Sequence, residues 1–304
     1  MTARAVNTPP NPSTFETYIC CKDHLVSGEE FDLLLDDNLD LLMTSPKPDE
    51  ADLGKYYQSD AYISHTDANT SLMDKVYQLV KNYALNKKLA LLTSFNNDEK
   101  KVLDIGCGTG DFLKICADNG WQVTGVEPSE VAQSLVRSKI SSENLSLYSS
   151  VEDLKKEDNV FLSYDVITLW HVLEHVPNLD ETIYNLKKLL KPEGTLIVAV
   201  PNFKSDDAQY YKQYWAAYDV PRHLWHFSQT ALRRLFFFQA MEVVKTIPMI
   251  FDAYYVALLS EKNKRGSTNY FRAFWRGFVS NWKAKKSQEY SSLIYVIKNT
   301  KKWF

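Results

Sequence analysis

The run Val102-Leu-Asp-Ile-Gly-Cys-Gly-Thr-Gly110 limits what this chain can fold into more than any other stretch. It reads as a buried strand that feeds straight into a glycine-rich turn. Without a Cβ, Gly106, Gly108 and Gly110 let the backbone turn sharply and come close to a ligand. Residues 111–119 then show helical spacing, with Phe112, Ile115 and Cys116 on one face and Gly120 as a stop. A second strand, 121–126, ends at Glu127. This is a βαβ half with a carboxylate at the tip of its second strand, where it can accept hydrogen bonds from both hydroxyls of a ribose. The expected ligand is a nucleoside.

The dinucleotide fingerprint G-x-G-x-x-G needs glycine at position 111, where this chain has Asp111. Asp104 lies two residues before the first glycine. A carboxylate there repels a pyrophosphate but suits an ammonium and a nearby sulfonium. S-adenosylmethionine carries both and no phosphate. With Asp104 and Glu127 in place, 103–110 resembles the first motif of the class I S-adenosylmethionine-dependent methyltransferases. The expected cofactor is therefore S-adenosylmethionine, with Asp104, Gly106, Gly108 and Gly110 at its amino-acid end and Glu127 on the ribose. In many such enzymes an acidic residue at the place of Ser150 bonds the adenine, so Glu152 or Asp153, or else backbone groups, are expected to take that role. Trp170, at the end of the fourth strand, completes the cofactor set. Two other readings stay open: an NAD(P)-binding Rossmann oxidoreductase, disfavoured by Asp104 and Asp111, and a non-catalytic S-adenosylmethionine-binding protein.

Further strands read at 145–148, 164–170, 195–200, 243–247 and 293–297. Helices read from Pro128, over 179–190, and from a Ser228 cap to 241. Alternation of this kind predicts an α/β fold: a doubly wound, seven-stranded Rossmann-like sheet with helices on both faces. The resemblance implies that the last strand runs antiparallel beside the sixth. The expected organisation is an N-terminal extension over 1–52, a helical cover over 53–95, and a cofactor-binding domain over 96–304 with an aromatic-rich cap insertion at 203–227. Residues 1–15 read as disordered by composition. Residues 18–48 resemble a zinc-ribbon-like leader found before some methyltransferases. Cys20, Cys21 and His24 are too few to close a structural zinc site, and Asp36, Asp37, Asn38 and Asp40 stand where the second pair would fall, so a metal-free β-hairpin is expected. The resemblance implies that the helical cover lies over the cofactor's methionine end, so Tyr62 and His65 are expected either to line the pocket or to pack within the cover.

Net charge is −3, which gives no field for nucleic acid. Four cysteines form no disulfide framework, the proline-rich start lacks a signal core, and no apolar run spans a bilayer. A cytoplasmic protein is expected, with its oligomeric state open.

Six histidines make their placement informative. His171 and His175 follow the fourth strand, and His223 and His226 lie in the insertion. His171, Glu174 and His175, spaced i, i+3, i+4, share one face of a helical turn. The segment resembles ubiquinone-type O-methyltransferases, where an acidic pair and a histidine hold a divalent cation. His171 replaces the first acidic ligand, so His175 is expected to hydrogen-bond within the site wall, with a divalent cation as the second reading. A histidine is expected to act as general base toward a small or lipid-like hydroxyl acceptor, His175 or His171 ahead of His223. Finally, Phe271, Phe274, Trp275, Phe278 and Trp282 form one helical stripe among Arg272, Arg276, Lys283, Lys285 and Lys286. Packing on the domain is the first reading of this stripe. Contact with a membrane surface through 271–286 is the second.

Overall fold

The computed structural model describes residues 15–57, 72–95 and 99–300. The expectations for Tyr62, His65 and residues 1–14 lie outside the described residues. Strands β1 (Glu16–Lys22), β2 (Glu30–Asp36) and β3 (Leu41–Ser45) come first, then helices α1 (Glu50–Leu53) and α2 (Leu72–Thr93). Strand and helix next alternate through β4 (Lys101–Ile105), α3 (Asp111–Asp118), β5 (Gln122–Val126), α4 (Glu130–Lys139), β6 (Leu145–Tyr148), α5 (Val151–Leu154) and β7 (Tyr164–Trp170). The second half holds α6 (Leu179–Leu189), β8 (Leu190–Pro201), α7 (Asp206–Tyr211), β9 (Trp225–Phe227) and α8 (Gln229–Phe238). It closes with β10 (Met241–Pro248), α9 (Asp252–Arg265), α10 (Tyr270–Ser287) and β11 (Ser292–Asn299).

Seven strands form one sheet in the order β10-β11-β8-β7-β4-β5-β6. Strands β8, β7, β4, β5 and β6 pair in parallel, and β11 runs antiparallel to both neighbours. Successive side chains point to opposite faces, so the apolar strands build two cores. Leu103, Ile167 and Leu169 face Leu179, Ile183 and Leu186 of α6 and Leu232 and Leu235 of α8. Val102, Val123 and Val166 face Phe112, Leu113 and Cys116 of α3 and Val136 of α4. The doubly wound sheet is as expected.

Some boundaries differ, each for a local reason. The fourth helix begins at Glu130 instead of Pro128, because the Ser129 hydroxyl accepts from Ala132 N–H and sets the cap there. Strand β8 starts at Leu190 and runs through Lys191-Pro-Glu-Gly194, which the sequence reads as a turn. Helix α8 has the expected Ser228 cap but stops at Phe238, since Ala240 adopts φ +51° before β10.

The hairpin expected in the N-terminal extension is a three-stranded meander, and β9 of the insertion adds a fourth strand beside it. Met43 pairs with Trp225 and Leu41 with Phe227. Extension and insertion therefore build one body. Its staple is Arg222, 1% exposed, which donates to Asp23 Oδ1 at 2.9 Å, to both oxygens of Asp219 and to the Tyr56 carbonyl. Asp23, also buried, is held to a pKa of about 2: burial opposes this, but Arg222 and the N–H groups of Ser27 and Leu25 outweigh it.

The reading of the aromatic stripe as core is corrected. Helix α10 packs inward on α9 and α7 through small buried residues, Ala273, Gly277, Ser280 and Ala284, with the Ser280 hydroxyl donating to Asp207 Oδ1 at 2.7 Å. A Cβ on Gly277 would come within 2.7 Å of Tyr254 Cδ1, so this ridge admits only close approach. Phe271, Phe274, Trp275, Phe278 and Trp282 consequently point outward and are 46–82% exposed. Hydrophobic spacing marks a stripe but not which side is inside.

Candidate cofactor and acceptor site

The carboxyl ends of β4, β5 and β7 lie side by side at one edge of the sheet, where open parallel sheets bind their ligands. After β4, Gly106, Gly108 and Gly110 all take positive φ, from +54° to +77°. Their surroundings differ. A Cβ on Gly106 would sit 2.5 Å from Val172 Cγ2, and one on Gly110 would sit 2.9 Å from Val136 Cγ2. Those two glycines serve close packing of the protein on itself. Only Gly108 of the three faces open space, so it alone offers its backbone to a ligand.

Glu127, 9% exposed at the end of β5, accepts from Gly108 N–H through Oε2 and from Ser129 N–H through Oε1, each at 2.9 Å. It fixes the glycine turn and keeps further lone pairs for hydroxyls. Asp104, 2% exposed, accepts from the Thr168 hydroxyl at 2.6 Å. Its pKa is pushed up to about 7, first by burial and further by Glu127, while Thr168 and the Lys88 ammonium hold it down. Lys88, from α2, lies 4.1 Å over the Trp170 ring, and that ring meets Phe112 edge-on. The Trp170 indole N–H is buried without a hydrogen-bond partner. Glu152 and Asp153 stand apart from this group. They face outward and bridge to Lys155 and Lys156, while Ser150 caps α5.

The histidines occupy three different environments. His171 adopts φ +56° and sits between carboxylates, Nε2 at 3.2 Å from Asp252 and Nδ1 at 3.4 Å from Glu174. Burial works against its charge, but the two carboxylates raise its pKa to about 10. An imidazole already protonated cannot take a proton at neutral pH. His175 is the reverse. Burial and nearby His223 lower its pKa to about 4. Its Nδ1 lies 3.0 Å from the Arg222 carbonyl and 3.1 Å from the Tyr57 hydroxyl. His223 donates Nδ1–H to the Ala217 carbonyl at 2.8 Å, which leaves Nε2 as its basic nitrogen. His226 contacts the Thr44 hydroxyl and is held neutral, first by burial and then by His223.

A cavity of about 560 Å³ adjoins this cluster. His171, Glu174 and His223 line it together with Trp215, Tyr218 and Tyr255, while His175 does not. Glu174 is 1% exposed, and neither carboxylate oxygen has a hydrogen bond. Burial opposes its ionisation, yet His171, His223 and His175 hold its pKa below the usual range. Glu174, His175 and His223 bring ligand-type atoms within 4.8 Å of one another. The imidazolium of His171 supplies positive charge to that set. Asp252, Lys88 and Tyr57 are absent from the sequence-derived set, since each arrives from an element remote in the chain with no motif around it.

A family model described as a methyltransferase domain matches residues 77–240, more than half of the chain. The chain belongs to this family. A ubiquinone biosynthesis O-methyltransferase of Glaesserella parasuis is 38% identical over 108 residues, covering 34% of this chain and 46% of the relative. One of the same name from Coxiella burnetii is 33% identical over 103 residues, covering 34% and 44%. The chain thus spans somewhat under half the length of these relatives. Among solved structures, the Haloferax volcanii methyltransferase in complex with the Trm112 methyltransferase activator superposes with a TM-score of 0.53 at 16% identity, covering 74% of this chain and 93% of that one. A Galdieria sulphuraria structure described as a sarcosine dimethylglycine methyltransferase gives 0.51 at 15%, covering 75% and 88%. Both likenesses establish the fold.

Proposed function

We propose that this protein transfers the methyl group of S-adenosylmethionine to an oxygen of a small, lipid-like acceptor, with His223 as general base. One observation carries the cofactor: Asp104, a buried carboxylate with a raised pKa, lies just before the turn where Gly108 opens to a ligand. Such a group favours an ammonium and disfavours a phosphate. Asp104 is assigned to the amino-acid end, Glu127 to the ribose, and Lys88 with the Trp170 indole to the wall beside them. Glu152 and Asp153 are not needed, since both are occupied by lysines at the surface.

S-adenosylmethionine supplies an electrophilic methyl carbon on a sulfonium. The residues of the chain align the acceptor and manage its proton. His223 takes the hydroxyl proton at Nε2, and the carboxylate of Glu174 stabilises the resulting imidazolium. Trp215, Tyr218, Val256 and Leu259 line the cavity and keep water from the reacting oxygen. This apolar lining, and the names of the curated relatives, support a lipid-like acceptor. Such an acceptor would be met at a membrane surface. Among the described residues, no helix is long and apolar enough to cross a membrane.

The test is release of S-adenosylhomocysteine with a panel of hydroxylated aromatic and prenylated acceptors. Acceptor-dependent release supports the reading. Binding of S-adenosylmethionine with no release for any hydroxyl, amine or carbon acceptor would make this a binding protein instead.

A further inference from the structure

Helix α10 carries its largest apolar side chains on the outside. Phe271 is 82% exposed and Trp282 64%, with Phe274, Trp275 and Phe278 between them on the same stripe. Over its 18 residues the helix has five basic side chains and no acidic one. Lys285 and Lys286 lie at its C-terminal end, where with Lys204, Lys283 and Trp282 they line a cleft of about 840 Å³. Lys283 and Arg276 bridge to Asp206, and Lys204 to Asp40, which fixes the inner rim of this cleft. A row of aromatic rings beside a lysine cleft matches the interfacial layer of a bilayer, where rings sit at headgroup depth and cations meet lipid phosphates.

We infer that the outer face of α10 seats the protein on an anionic membrane surface, rings in the interface and the lysine cleft on lipid headgroups. Charge decides for this occupant over a second copy. Two α10 faces brought together would oppose Arg272, Lys285 and Lys286 to their copies, since Arg276 and Lys283 are bridged to Asp206, with no acidic residue of the helix between them. The inference rests on the proposed lipid-like acceptor and gives it a route. On its other side α10 packs against α9, whose Tyr255, Val256 and Leu259 line the acceptor cavity. Packed helices lie about 10 Å apart, so one helix pair links the membrane face to the cavity wall.

The test is co-sedimentation of the full chain with phosphatidylcholine vesicles containing about one-third phosphatidylglycerol, beside pure phosphatidylcholine vesicles. The wild type should bind the anionic vesicles, less at high salt, with its tryptophan fluorescence quenched by brominated lipid. The triple variant Phe271→Ser, Trp275→Ser, Phe278→Ser should lose binding about tenfold or more. Lys285→Glu with Lys286→Glu should also weaken it. Melting temperature and S-adenosylmethionine affinity should stay unchanged in both, because all five positions are exposed and outside the site. Wild type that stays in the supernatant overturns the inference. So does a wild-type dimer in sedimentation equilibrium that the triple variant dissolves, which would give this face to a second copy. Vesicle binding without S-adenosylmethionine binding would sink the proposed reaction and leave the surface standing.

Discussion

Replacing Asp104 by asparagine should make the ligand-free protein more stable and a worse binder at once. Asp104 is buried, and its pKa stands at about 7 against an ordinary 3.8. The folded state therefore keeps this proton up to about pH 7, while the unfolded chain releases it near pH 4. Stability falls as pH rises between those values, and the loss is complete above about pH 7. Roughly three pKa units at about 1.4 kcal/mol each bound the cost near 4 kcal/mol, and relaxation brings it to about 2–4 kcal/mol. Asparagine keeps an oxygen for the Thr168 hydroxyl but removes the charge. Urea denaturation at pH 8 should show the variant more stable by about 2–4 kcal/mol, with the gain vanishing near pH 4. Calorimetry should show S-adenosylmethionine binding weakened tenfold or more, as one partner of an ionic hydrogen bond is lost. The wild type should also bind roughly tenfold more weakly at pH 5.5 than at pH 7, where about half of Asp104 is ionised, and the variant should lose that dependence. A variant that is destabilised at pH 8, or that binds as tightly as the wild type, refutes the argument.

His223→Ala should lower turnover by about 10²–10⁴ with cofactor affinity kept, and chelator should leave wild-type turnover unchanged; loss of activity on chelation would assign Glu174, His175 and His223 to a metal. Arg222→Met should cost about 3–5 kcal/mol in denaturant melts, because it leaves Asp23 buried without its counter-charge. Trp275→Ala should shift stability by no more than about 0.5 kcal/mol, as expected for a side chain 55% exposed. A large loss there would return the stripe to the core.

The cofactor half was legible because its signals are local. Strands β6 and β7 fall where the apolar runs put them, and Ser228 caps α8 through its own neighbours. The glycine turn and Glu127 meet because adjacent parallel strands end together. What sequence reading lost depends on pairing across long separations. Nothing near Met43 announces Trp225 as its partner, and nothing near Asp23 announces Arg222. The same distance hid Asp252, whose carboxylate raises the pKa of His171 and is the reason the proposed reaction takes His223 as its base. For the α10 stripe, spacing alone left the sense of the face open, and the small residues Ala273, Gly277 and Ala284 decided it.

Equilibrium titration of the full chain with S-adenosylmethionine, and in parallel with NAD and NADP, tests the central claim most directly. One S-adenosylmethionine should bind per chain, with affinity lost in Asp104→Asn and Glu127→Ala, and neither dinucleotide should give heat. Saturable binding of NAD or NADP without binding of S-adenosylmethionine would contradict it.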